Sequence, residues 1–350
     1  YFIASPENAI QRYLYRTKMD GKGKLELVSP ANLKGTHGYE ISPGASLALH
    51  TFTNRNTPLV SEWIKLPEHT ALQDNQSIAN KIKTVERKNL EFFTITTEDN
   101  VTMDGWIITP ENFDSSKKYP VLLYVYGEPG NTTVEDKFAT GGNRLFDGDL
   151  SKSGYFYVSF NNRGTPTLKG SAWRKAIYRD IGGINIRDQA MAMKKLLQQR
   201  PYLDTARVAS WGWSGGGSST LNLLFQYPDI FKTGIAVAAV ANQLTYDNIY
   251  QERYMGPPQQ TKADYIKGSP VTYAKNLRGN LLYIHGTGDD NVHYQNAEML
   301  LNELIKYNKQ FQFMAYPNRT HGISEGEGTT KHLRTLYTEY LLKYCPPGGR

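Results

Sequence analysis

The chain has 350 residues, 39% of them hydrophobic, enough for one large domain or two modest ones with sizeable cores. Its formal charge of +7 is spread thinly, with no run of five or six like charges and no basic block interleaved with aromatics, so a nucleic-acid partner has little support. One cysteine, Cys345, excludes an internal disulfide and a cysteine-rich metal site, and no apolar run approaches the roughly 20 residues of a membrane-spanning helix.

The chain opens on Tyr1-Phe-Ile-Ala-Ser, the texture of mid-strand, without an initiator Met or a signal peptide, and a piece of a longer protein is expected. Short strands are expected at Tyr1–Ala4, Arg12–Lys18, Lys24–Val28, Tyr39–Ser42, Leu47–Thr53 and Leu59–Lys65. Turn formers separate them, among them Asp20-Gly-Lys-Gly23 and Ser42-Pro-Gly44. Such spacing suits a barrel, a sandwich or propeller blades, but the strands are too few to close an all-β domain. Residues 1–66 are therefore expected to be the end of a β-domain whose remainder lies upstream. His37, His50 and His69 within it read as surface or packing residues. Residues 67–85 are polar and aperiodic, as a linker is.

From residue 86 the texture changes. The runs 121–126, 155–160, 234–238, 280–285 and 311–316 are continuously apolar, as strands buried on both faces of a parallel sheet are. Ile186, Ala190, Met193 and Leu197 share one helical face, and so do Ala297, Leu300, Leu301 and Leu304. Leu333, Leu336, Tyr337, Tyr340 and Leu341 predict a closing helix, with Cys345 as a packing residue after it. Alternation over residues 86–350 predicts an α/β domain with a doubly wound, mostly parallel sheet.

Gly212-Trp-Ser214-Gly-Gly216 stands between an apolar run and a helix, the setting of a nucleophile elbow. Flanking glycines allow the sharp turn that lifts a serine Oγ above the sheet. A hydroxyl needs a base, and in this fold an acid and then a histidine follow the serine. Asp289, with Asp290 as rival, follows the run 280–285, and His321 follows 311–316. His332 falls inside a helix, while His285 and His293 break the order. A metal cluster of His285, Asp289, Asp290 and His293 is the weaker alternative, because no catalytic-zinc motif is present. Neither a metal nor a cofactor is expected.

Gly212–Gly216, Asn248-Ile-Tyr-Gln-Glu-Arg-Tyr-Met-Gly256, His285-Gly-Thr-Gly-Asp-Asp-Asn-Val-His293, Asn185–Gln189 and Gln11–Tyr15 resemble the dipeptidyl peptidase IV branch of the prolyl oligopeptidase family. The resemblance spans nearly the whole chain. It implies an α/β-hydrolase preceded by the last part of a β-propeller, and a serine peptidase that releases N-terminal dipeptides ending in Pro or Ala. It assigns Asp289 over Asp290 as the acid, and it implies Tyr126 and the backbone N–H of Gly215 as oxyanion donors. A proline pocket walled by Val240, Tyr246, Tyr250 and Val292 follows from it, with Asn291 and Arg253 holding the substrate carbonyl. It further implies peptide substrates with a free N-terminus, an acidic amine-binding pair upstream, a homodimer formed through the hydrolase domain, and extracytoplasmic work. The triplets at Asn75, Asn131 and Asn318 fit glycosylation.

Two departures stand out. Gly215 replaces the tyrosine usual after the nucleophile, and Gln243 replaces a tryptophan, so the preference for proline is expected to relax. The rival functions are a tripeptidyl peptidase, an oligopeptidase or an acylaminoacyl peptidase of the same family, a general esterase, or a silent binding protein on the same scaffold.

Overall fold

The computed structural model describes residues 1–75, 77, 80, 81 and 89–350. Part of the expected linker, residues 76, 78–79 and 82–85, and the expected domain start at 86 lie outside the described residues. The chain divides into two units: Tyr1–Lys88 with Val134–Gly142 and Thr167–Gly170, and Asn89–Thr133 with Asn143–Pro166 and Ser171–Arg350.

The first unit holds two antiparallel sheets. One is β1 (Phe2–Ala4), β2 (Tyr13–Arg16) and β3 (Glu26–Leu27). The other is a meander of β4 (Thr36–Ile41), β5 (Leu47–Asn54), β6 (Thr57–Lys65) and β7 (Thr70–Asp74). Leu14, Val28, Ala48, Ile64 and Leu66 form a small core. Strand β7 corrects the reading of 67–85 as linker. It pairs with β6 through Ile64↔Ala71 and Lys65↔Thr70, yet every one of its side chains is exposed. Backbone pairing alone defines such an edge strand, so no apolar alternation marks it in the sequence.

The second unit is built on an eight-stranded sheet of order β15-β14-β13-β12-β10-β11-β9-β8. Its strands are β8 (Leu90–Thr96), β9 (Thr102–Ile108), β10 (Tyr119–Tyr124), β11 (Phe156–Asn161), β12 (Leu203–Trp213), β13 (Thr233–Val237), β14 (Asn280–Gly286) and β15 (Gln312–Tyr316). From β11 to β15 all neighbours are parallel, and β9 runs antiparallel to both of its neighbours. The α/β-hydrolase expectation therefore holds. Strand β8 is not marked in the sequence, because Leu90–Thr96 is half exposed and interleaves Glu and Thr with its apolar residues, and β9 mixes Thr102, Asp104 and Gly105 into its first half before the buried Trp106-Ile-Ile108.

The helices of the second unit are α1 (Ser171–Lys175), α2 (Ile184–Gln199), α3 (Gly215–Gln226), α4 (Asn248–Met255), α5 (Pro258–Gly268), α6 (Gln295–Lys306) and α7 (Thr329–Tyr344). Helix α2 buries Ile186, Ala190 and Met193 as its periodicity predicts, with Leu196 fully inside and Leu197 at the margin. Cys345 is buried behind α7, and that burial pushes its thiol up to about 12, which leaves it inert. Among the described residues no helix is long and apolar enough to cross a membrane. Registers such as Leu123↔Ser210, Trp213↔Val237, Val237↔Ile284 and Gly286↔Tyr316 align the carboxyl ends of β10, β12, β13, β14 and β15 along one edge. The loops leaving that edge carry the chemistry-bearing side chains.

Candidate active site

Ser214 is the single residue between β12 and α3, with φ 58° and ψ −123°. A left-handed φ is rare for a residue with a Cβ, and such strain clusters at functional sites. The residues two positions away on either side must be glycine. A Cβ on Gly212 would lie 2.4 Å from the Gly216 carbonyl, and one on Gly216 would lie 2.3 Å from the Val125 carbonyl oxygen. The Ser214 N–H donates to Val237 O at 2.9 Å, which pins the turn to β13. Gly215 opens α3, so its amide belongs to the unpaired set at a helix N-terminus.

Asp289 lies in the turn after β14, buried, with Oδ1 accepting the amides of Asn291 at 2.9 Å and Val292 at 2.8 Å. Its Oδ2 lies 2.8 Å from His321 Nδ1 and 3.2 Å from His285 Nε2. Burial favours the neutral acid, but the hydrogen bonds from His285, His321 and the Asn291 amide outweigh it and hold the carboxyl well below its ordinary range. Asp290 is exposed, and its Oδ1 accepts from the His321 backbone amide at 3.5 Å. The imidazole is thus bonded to Asp289. The Trp213 indole donates to His321 O at 3.0 Å, which ties the His321 loop to the residue before Ser214. His293 and Asp290 are exposed, and His285 Nε2 also faces Val292 O at 2.8 Å; the four residues of the metal alternative do not form a cluster.

His321, Tyr246, Asn291, Asp290 and His293 line one cleft of about 520 Å³. The Tyr246 hydroxyl donates to Asn291 Oδ1 at 2.7 Å, and its ring meets Tyr250 edge-on at 5.7 Å. Val240 and Val292 are buried. Tyr126 lies two residues beyond β10, and burial, then the charge of Glu128, raises its hydroxyl pKa, so it stays a hydrogen-bond donor. Arg253 departs from the expected grouping. It is exposed, sits 5.4 Å from the Tyr254 ring, and lines a separate cavity of about 690 Å³ with Tyr178 and Pro129. Asn291 and Arg253 therefore do not share a cleft.

Glu128 is the residue that sequence reasoning missed. It is 4% exposed, and its Oε2 accepts from the Tyr250 hydroxyl at 3.1 Å. A Cβ on Gly215 would lie 2.8 Å from that same oxygen, so the carboxyl fills the space a side chain after Ser214 would take. Burial pushes Glu128 up to about 7, against the lowering pull of the Tyr250 hydroxyl and the Gln243 amide. Its only sequence signal is a charge in Tyr126-Gly-Glu-Pro-Gly130, immediately after an apolar strand.

Residues 149–345 match the prolyl oligopeptidase family. The chain is 34% identical over 334 residues to "Probable dipeptidyl-aminopeptidase B" of Trichophyton verrucosum, covering 92% of this chain and 36% of that protein. It is 35% identical over 283 residues to mouse "Prolyl endopeptidase FAP", covering 79% of this chain and 36% of that protein. The crystal structure of Porphyromonas gingivalis dipeptidyl peptidase 4 superposes with a TM-score of 0.87 at 31% identity, over 98% of this chain and 48% of that one. The chain thus spans about a third of the length of the curated relatives it matches. With more than half of its residues matched by the family and the fold shared, the chain belongs to the prolyl oligopeptidase family.

Proposed function

We propose that this chain carries the catalytic machinery of a serine peptidase that releases N-terminal dipeptides ending in Pro or Ala. The observation that carries the reading is the 2.8 Å His321–Asp289 hydrogen bond, in a loop that the Trp213 indole ties to the strained Ser214 turn. Ser214 Oγ attacks the carbonyl of the second residue, and His321 Nε2 takes its proton. Asp289, locked by two amides, keeps the imidazole in the Nδ1–H tautomer and stabilises the imidazolium. The Tyr126 hydroxyl and the Gly215 amide donate to the oxyanion, His321 returns the proton to the leaving amine, and water then cleaves the acyl-enzyme.

Tyr246, Tyr250, Val240 and Val292 wall the pocket for the second residue, and Asn291 meets the substrate carbonyl. Gly215 opens one side of that pocket and Glu128 fills it, which supports small residues there. A homodimer and extracytoplasmic work belong to the same proposal, supported by the family; Asn131 and Asn318 are exposed, whereas the Asn75 amide already binds the Leu59 carbonyl. A fluorophosphonate probe tests the core of it. Labelling is expected at Ser214 and lost in Ser214→Ala, with turnover reduced about a millionfold; labelling that survives the substitution places the nucleophile elsewhere.

A further inference from the structure

The first unit contains a buried chain of imidazoles that the serine chemistry does not use. His50 on β5 and Glu62 on β6 are direct cross-strand partners, and His69 follows in the turn before β7 with φ 55°. His50 Nδ1 lies 2.7 Å and His69 Nε2 lies 2.9 Å from the same Glu62 oxygen, Oε1. Behind His50, its Nε2 lies 2.9 Å from His37 Nδ1, and His37 Nε2 lies 2.9 Å from Leu33 O. His37 and His50 are buried, and Tyr39 stacks on His50 with ring centres 4.6 Å apart.

A count of hydrogens shows a deficit. The Leu33 carbonyl can only accept, so His37 Nε2 carries a hydrogen, and a neutral His37 then accepts through Nδ1. His50 must therefore donate through Nε2, which leaves its Nδ1 bare. A bare nitrogen and a carboxylate oxygen, both lone-pair donors, then face each other at 2.7 Å. With His37 neutral, a cation between them, a proton or a metal ion, resolves the contact. The nitrogen of His69 approaches the same oxygen, so three donor atoms stand within 4.8 Å of one another.

We propose that His50, Glu62 and His69 form a site for a divalent ion of the zinc type. Two imidazoles and one carboxylate are a donor set zinc accepts, with the fourth position left to water. Zinc bonds of about 2.0–2.2 Å need the donors roughly half an ångström further apart, which rotation of the Glu62 carboxylate supplies. His37 does for His50 what an outer partner does for a metal-bound histidine: it accepts the hydrogen bond of the other ring nitrogen and fixes the tautomer. The ion would clamp β5, β6 and the turn to β7.

The test uses the whole chain, stripped with a chelator, dialysed against Zn²⁺ and analysed for bound zinc. One zinc per chain is expected for the unmodified protein, with affinity reduced at least about 100-fold in Glu62→Gln and in His69→Gln. Its thermal midpoint should rise with zinc in the unmodified protein and not in the variants. Should the variants fail to fold, ¹⁵N-histidine spectra of the unmodified protein decide: zinc must shift His50 and His69. No retained zinc means that the cation is a proton and overturns the site. So does zinc that the variants keep, or that shifts only His321 or His293.

Discussion

Replacing Glu128 by Gln should stabilise the protein in alkaline solution and do almost nothing in acid. The carboxyl is buried beside Gly215, and its pKa is raised from an ordinary 4.5 to about 7. A carboxyl that holds its proton more tightly folded than unfolded contributes its full stability below pH 4.5. That contribution is lost as pH rises toward 7, because the unfolded chain then ionises freely while the folded one resists. The interval from 4.5 to about 7 corresponds to about 3 kcal/mol. Gln keeps the shape and never ionises. Its stability minus that of the unmodified protein should therefore climb by about 1.4 kcal/mol per pH unit from 4.5 to 7 and level off above. The constant offset reflects the altered partner of the Tyr250 hydroxyl, 3.1 Å away. Urea unfolding at a series of pH values measures the difference directly. A difference that stays flat between pH 4.5 and 8 would refute the burial argument and make Glu128 an ordinary solvated carboxylate.

Asp289→Asn should lower turnover by about ten-thousandfold, because the amide favours the wrong imidazole tautomer, whereas Asp290→Asn should change it by a few-fold at most. Steady-state assays on a chromogenic dipeptide substrate rank the two, and the reverse ranking would transfer the orienting role to Asp290. Tyr246→Ala should reduce kcat/KM on X-Pro substrates by about tenfold to a hundredfold, the worth of one aromatic wall, while an acetyl ester is still hydrolysed. Equal losses on both substrates would mean that the ring supports the fold and not the pocket.

The elbow was legible because its requirements are written in residue types. Gly212 and Gly216 each leave no room for a Cβ, and no other residue type meets that demand. Strands such as β11, with every residue buried, are equally plain, since nothing in Phe156–Asn161 needs water on either face. Asp289 and Asp290 were indistinguishable as neighbours. Which one turns inward depends on the Asn291 and Val292 amides, a property of the folded turn. Glu128 stands among Gly and Pro, where a charge is ordinarily solvated, and the missing side chain at 215 leaves room to bury it. The pairing of His50 with Glu62 depends on the β5–β6 register, which their positions in the sequence do not specify.

The backbone of Ser214 has a consequence for the whole molecule. At φ 58° and ψ −123° any residue with a Cβ is strained, by about 1–3 kcal/mol, and glycine is not. A hydroxyl at this turn thus comes with a backbone strain that glycine would avoid. Two inactive proteins separate the hydroxyl from the strain: Ser214→Ala keeps the Cβ, and Ser214→Gly removes it. The glycine form should be the more stable, by about 1 kcal/mol after the greater freedom of its unfolded chain is offset, and should unfold at the higher temperature.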